Sequence, residues 1–227
     1  MHQALTFPPG KAALLLIDMQ EEHRTDSRYL VENYDEVAAN CAALIAGARG
    51  AGVPVLHSVY LVDTATDMVR PFHPLGKDGR SAFSDAGTPG AEISPEVRPL
   101  PGERVIVKGD ASCFAAPALA TAISALAAEW LIVAGCWSEA CVAATVKDGV
   151  ERGVRILLVK DACGSGSRAM HETAVLNMAN RLYGGAVVDT SRALSLMDGR
   201  SVQAWRMDLP VPIKFTYQSA SQDYAAL

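Results

Sequence analysis

The sequence predicts an α/β protein of three layers, α/β/α, around a central, mostly parallel sheet of six strands in a single domain. Three observations carry this. Short apolar runs alternate with longer Ala-rich segments from residue 13 to residue 189. The runs are continuous rather than alternating, as strands covered on both faces require. No stretch of the 227 residues, half of them hydrophobic, reads as a hinge between two cores.

The first run, ALLLID (13–18), is a buried strand that ends in an acid. The segment 30–50 then spaces Val37, Cys41, Leu44, Ile45 and Ala48 helically and closes on Gly50 and Gly52. VPVLHSVYLV (53–62) is the second strand. Residues 63–102 are rich in Gly, Pro, Asp and Ser and lack a period. So long an irregular stretch is either a lid or binding loop, or a plain surface excursion. RVIVK (104–108) is the third strand, followed by an Ala/Leu helix over 116–128. WLIVAG (130–135) leads into a helix over 138–152 that stops at Gly153. VRILLVKDA (154–162), a helix over 168–183 and the short strand AVVD (186–189) complete the alternation. Such alternation gives parallel strands with helices on both faces. From about 200 onward the chain, with Pro210, Pro212, Tyr217 and Tyr224, reads as an extended tail that wraps a neighbouring subunit or frays.

Composition narrows the function. A formal net charge of −5 and a pI near 5.5, with Lys and Arg dispersed, exclude a nucleic acid partner, because nothing neutralises a phosphate backbone. No apolar run reaches the ~20 residues that cross a bilayer. The amino terminus lacks the basic start and small-residue cleavage site of a secretory leader, so a cytoplasmic protein is expected. The cysteines, Cys41, Cys113, Cys136, Cys141 and Cys163, are odd in number and include no CxxC. Cys136 and Cys141 are badly spaced for zinc, and free thiols without a metal are expected.

Ligands of open parallel sheets bind beyond the carboxyl ends of the strands. Strand one ends there in Asp18, strand three in Lys108, and strand four runs through Cys136 and Trp137 to Cys141 at a helix start. An acid, an amine and a thiol form a workable set: the carboxylate takes the thiol proton and the ammonium favours the thiolate. Position alone leaves the plainer readings open. Strand-end Asp residues often cap turns, lysines are usually solvated, and a lone helical Cys is often core.

The strings ALLLIDMQ, VIVKGDASCF and LIVAGCWSEACVAATVKDGVERGVRILLVKDACGS, in this order, resemble the signature regions of the isochorismatase-like cysteine hydrolases. That superfamily includes nicotinamidase and N-carbamoylsarcosine amidohydrolase. GTPGAEISPEVRPLPGE (87–103) resembles the segment before the family's lysine strand, so the likeness spans about 11–190. The resemblance implies a Rossmann-like fold and a triad of Asp18, Lys108 and Cys141. It implies a cis peptide at Cys136–Trp137 and an oxyanion hole from the backbone N–H groups of Trp137 and Cys141. It further implies a thioester mechanism on a small amide, ureido or carbamoyl compound, no cofactor, and a homodimer or homotetramer. If strand two lies between strands one and three, Lys108 starts about 10 Å from Asp18 at ~4.8 Å per strand, within a lysine's reach.

The sequence departs from the pattern in three respects. Gln20 keeps the first motif, but His23 stands where relatives often have Phe; it contacts a polar substrate, or is a surface histidine. Trp137 stands where many relatives carry a small residue, and either narrows the pocket or anchors the core. His57, Asp63 and His73 do not match the metal-binding spacing of nicotinamidases. Ser138 and Glu139 read as helix caps, His171 as structural, and Cys113 and Cys163 as small buried residues. Two other readings stand beside the amidohydrolase: an isochorismatase proper, whose vinyl ether chemistry needs no thiol, and a catalytically silent binding protein on the same fold.

Overall fold

In a computed structural model, which describes residues 1–66 and 69–227, one eight-stranded sheet runs in the order β1-β8-β7-β6-β5-β2-β3-β4. The chain forms β1 (His2–Leu5), β2 (Ala12–Ile17), α1 (Glu22–Thr25), α2 (Tyr34–Ala51), β3 (Val55–Tyr60) and β4 (Arg104–Lys108). It continues with α3 (Pro117–Ala125), β5 (Trp130–Cys136), α4 (Ala143–Glu151), β6 (Arg155–Gly164) and α5 (Arg168–Ala179). It ends with β7 (Ala186–Val188), α6 (Thr190–Met197), β8 (Val202–Trp205) and α7 (Ala220–Ala225). Strands β2 to β7 are mutually parallel, while β8 is antiparallel to both β7 and β1.

The continuous apolar runs bury both faces of the sheet. Along β2, Leu14 and Leu16 face α2 and α6, where they meet Cys41, Leu44, Ile45 and Leu196. Their neighbours Ala13, Leu15 and Ile17 face α3, α4 and α5 and meet Leu119, Val146, Val175 and Leu176. Period-two geometry sorts consecutive residues onto opposite layers. Each fully buried leucine contributes about 1.5–3 kcal/mol relative to exposure. Helix α2 stops because Gly52, at φ +69°, turns left-handed and lets its amide and that of Val53 cap Ala48.

The expected six strands are all present, and two short ones extend the sheet. β1 and β8 are each 4 residues long, too short to show a period. The tail departs more from its expectation. It carries β8 and α7, and α7 packs against α5 of its own chain, with Ala220 and the terminal Leu227 buried in the core. Residues 61–103 form no strand or helix beyond two single 3-10 turns, Pro89–Ala91 and Pro95–Val97, among the described residues. Asp67 and Met68 of the irregular stretch lie outside those residues. The strand order places β3 between β2 and β4, so Lys108 must reach across one strand toward Asp18.

Candidate active site

Asp18 follows the last residue of β2 and takes a left-handed φ of 49°. That conformation is uncommon for a residue with a side chain, and Asp is among the few that tolerate it. Its amide bonds the Ser58 carbonyl at 3.1 Å, and its own carbonyl accepts from the Gln20 amide at 3.0 Å. The carboxylate is buried. One oxygen accepts from the Ser58 hydroxyl at 2.8 Å, and the other from Lys108 Nζ at 2.7 Å.

Lys108 ends β4 in register with Tyr60 of β3. Its side chain crosses β3 with Nζ 4.8 Å from the Tyr60 ring centroid, a cation–π contact that lines its path. The ammonium is buried and donates to Asp18, to the Asp110 carbonyl at 3.0 Å and to Cys141 Sγ at 3.4 Å. Burial alone would lower its pKa; the charges of Asp18 and Cys141 outweigh that and raise it. Lys108 therefore stays cationic at neutral pH.

Cys141 sits in a widened, π-helical turn, Ser138–Val142, between β5 and α4. The Trp137 carbonyl accepts from the amides of both Ala140 and Val142, at 3.0 and 3.1 Å. Turns of this kind occur often at functional sites. The Cys136–Trp137 peptide is cis. Gly135, at φ +118°, makes the approach to β2 possible: a Cβ there would lie 2.1 Å from the Ile17 carbonyl oxygen. Of the cysteines, Cys141 alone is not buried. Burial, then the Asp18 charge, pushes its thiol pKa up, and Lys108 works against both. Burial and Asp18 thus favour the thiol form of Cys141, with the Lys108 ammonium in contact with its sulfur.

Asp18, Cys141, Trp137, Tyr29, Tyr60 and Phe83 are among the residues lining a cavity of about 200 Å³. Its wall is a belt of aromatic rings. Tyr29 lies 4.8 Å from Trp137 and 5.3 Å from Phe83, and Phe83 lies 5.7 Å from Tyr60, centroid to centroid. Arg70 completes the lining and pairs with Asp110.

A model of the isochorismatase domain matches residues 12–192. The chain belongs to the isochorismatase family. It is 33% identical to the isochorismatase family protein YddQ of Bacillus subtilis (strain 168) over 67% of this chain and 77% of that protein. It is 29% identical to maleamate amidohydrolase of Pseudomonas putida, over 78% of this chain and 83% of that enzyme. The fold is that of a cysteine hydrolase from Pseudomonas syringae pv. phaseolicola 1448A, at TM-score 0.75 and 20% identity over 86% of this chain and 95% of that one.

Asp18, Lys108 and Cys141 converge; the other site candidates divide. Gln20 lines the cavity, yet its amide is spent on backbone: it donates to the Tyr60 and Ala91 carbonyls and accepts from the Tyr60 amide. It fastens the irregular stretch to β3. His23 is buried rather than on the surface, and its Nδ1 accepts from the Trp137 indole at 3.3 Å. Burial lowers its pKa to about 4, so it is neutral at pH 7. Trp137 is half-buried and does both proposed jobs, walling the cavity and packing on the core. His57 bonds Glu103, Asp63 bonds the Ala65 amide and Thr66, and His73 bonds Ser81, so the three point to separate partners.

The site also contains residues that the sequence did not single out. Ser58 is the hydroxyl behind Asp18, and a hydroxyl within the largely buried strand VLHSVY was its available signal. Ser84 donates to the buried Glu22 through its amide and hydroxyl at 2.7 and 2.6 Å, pinning the loop that presents Phe83. Tyr29 and Phe83 lie in loops without periodicity, where no local pattern marks them.

Proposed function

We propose that this protein is a cysteine-dependent hydrolase that cleaves the C–N bond of a small amide, ureido or carbamoyl compound through a thioester on Cys141. The observation that carries the reading is Lys108 Nζ held between the Asp18 carboxylate at 2.7 Å and Cys141 Sγ at 3.4 Å, at the edge of a cavity. A single ammonium in contact with both groups stabilises the thiolate as Asp18 takes its proton.

These positions support the following steps. Asp18 accepts the Cys141 proton and Sγ attacks the substrate carbonyl carbon. The resulting oxyanion is held by the backbone N–H groups of Trp137 and Cys141 in the turn. Protonated Asp18 gives its proton to the departing amine as the C–N bond breaks, leaving a thioester. Asp18, again a carboxylate, removes a proton from water; the hydroxide adds to the thioester carbon, the C–S bond breaks, and Asp18 returns the proton to the leaving Cys141 sulfur as the acid departs. The cavity, about 200 Å³ and walled by Tyr29, Tyr60, Phe83 and Trp137, favours a small substrate with a flat body. The amide-hydrolysing activity in the name of the Pseudomonas putida relative agrees with this reading.

The test is ammonia release from a panel of small amides and ureido acids, with the native protein and Cys141→Ala in parallel. Turnover that falls by ~10³-fold or more in the variant is expected. Turnover that survives the substitution would point to chemistry without a thiol nucleophile. Silence across the panel, with Cys141 inert to iodoacetamide, would favour a binding protein.

A further inference from the structure

Behind the turn that carries Cys141 lies a chain of polar groups that the reaction above does not use. Tyr224 of α7 places its hydroxyl 3.0 Å from His171 Nε2, and His171 Nδ1 lies 2.7 Å from Ser138 Oγ. Ser138 Oγ in turn lies 3.0 Å from the Gly164 carbonyl. Ser138 is fully buried and is the first residue of the π-helical turn, directly after Trp137.

One arrangement of protons serves every atom. The Tyr224 O–H donates to Nε2, Nδ1–H donates to Ser138 Oγ, and the Ser138 O–H donates to the Gly164 carbonyl. The reverse arrangement gives up the Gly164 bond and sends the Tyr224 hydroxyl to the Lys160 carbonyl, 3.5 Å away. A neutral imidazole, with one donor and one acceptor, fits the first arrangement. Burial keeps His171 neutral by lowering its pKa to about 4.

The far end of the chain is fixed as firmly as the near end. The Tyr224 ring lies under Lys160 Nζ at 4.8 Å, and the same ammonium donates to the Tyr224 carbonyl at 2.9 Å. Ser221 donates to Glu172, and Asn180 of the segment after α5 exchanges two bonds with Ile213. The carboxyl-terminal segment is therefore docked on its own α5, and among the described residues its hydrogen-bonded link to the turn runs through the His171 imidazole.

We propose that Tyr224 and His171 are positioning residues, which hold the Ser138 end of the turn so that Cys141 and the neighbouring amides keep their places. This rests on Cys141 being the reacting group, as proposed above. The test compares the full-length protein with Tyr224→Phe, His171→Phe, their double variant and His171→Asn. Tyr224→Phe removes one hydroxyl and leaves the ring against Lys160. The side-chain amide of His171→Asn can still donate to Ser138.

Three quantities are read: the rate of Cys141 alkylation by iodoacetamide, kcat and KM on any amide the panel identifies, and the melting temperature. Tyr224→Phe and His171→Phe are expected to slow alkylation and lower kcat by ~3–10-fold with KM and melting temperature little changed, and the double variant should be no worse than His171→Phe, as for members of one network. His171→Asn should recover part of the loss. Unchanged alkylation in both single variants, losses that multiply in the double, or a loss that tracks melting temperature would overturn the proposal. Alkylation needs no substrate, so it reads the chain even if no amide is turned over.

Discussion

The molecule contains the same three residue types in two places, and only one set converges. At the front, Asp18, Lys108 and Cys141 come from β2, β4 and the turn after β5, and meet around one ammonium. At the back, Lys160, Asp161 and Cys163 all come from β6 and border or flank a second cavity of about 240 Å³. There the side chains part. Asp161 accepts from the amide and hydroxyl of Thr190 on α6, while Lys160 is taken up by Tyr224 of α7. Consecutive strand residues point to opposite faces, so Lys160 and Asp161 cannot address a common thiol. Cys163 is buried and desolvation pushes its pKa up to about 12; the Cys141 thiol is raised too, and what sets Cys141 apart is its partial exposure and its contact with Lys108. Here an acid, an amine and a thiol meet where different strands bring them together; a run of the same residues along one strand leaves them apart.

Exchanging the two carboxylates for amides puts that contrast to the hardest test. Asp18→Asn removes the proposed proton acceptor and should lower turnover by ~10³-fold or more, whereas Asp161→Asn should leave it within ~3-fold. Steady-state kinetics on one amide reads both, and a comparable loss from Asp161→Asn would end the distinction. The thiols give the next largest difference. Peptide mapping after brief iodoacetamide treatment should find Cys141 modified at least ~10-fold ahead of Cys163, because Cys141 reaches its cavity with Lys108 against the sulfur while Cys163 is buried. Equal labelling would mean that the rear cavity exposes its cysteine. A smaller effect is expected behind Asp18. Ser58→Ala removes the bond to one carboxylate oxygen and leaves the Lys108 contact, so a fall in kcat of ~10-fold with little change in KM is expected.

Asp18 and Lys108 were legible in the sequence because each sits at a strand end, and strand ends follow from apolar runs. β2 and β4 stop where their apolar residues stop, which fixed Asp18 and Lys108 in rank; the likeness of the strings around them to one family supplied Cys141. The strand order was not legible. Nothing local tells β4 to pair with β3 rather than with β2, and the reach of Lys108 across Tyr60 appears only once the sheet is assembled. The cavity wall was less legible still. Tyr29 and Phe83 come from aperiodic segments and are held by contacts remote in sequence, such as Ser84 with Glu22. The tail was misread because Pro210, Pro212 and isolated tyrosines look extended in any window. Docking of α7 is decided by partners on β6 and α5, Lys160 and His171, that a local reading cannot supply.

The two cavities agree in one respect, and pH tests it. Each has a histidine that burial holds neutral, His23 in front and His171 behind, both lowered to about 4 from an ordinary value near 6.5. In the unfolded chain each would take up a proton near pH 6.5, so between that pH and about 4 the unfolded state binds more protons than the folded one. Each histidine therefore leaves stability at its full value above pH 6.5 and withdraws it as the pH falls toward 4. At 1.36 kcal/mol per pH unit, moving from pH 7 to pH 5 should lose about 2 kcal/mol per histidine. Denaturant midpoints of the native protein and of His23→Phe at the two pH values isolate one of them, because every other titrating group is common to both. Phe is also the residue that the family often carries there. The variant should lose about 2 kcal/mol less between pH 7 and pH 5 than the native protein does. Parallel losses would show that His23 takes up its proton in the folded state, and so that its bond from the Trp137 indole, which needs a bare Nδ1, does not persist at pH 5.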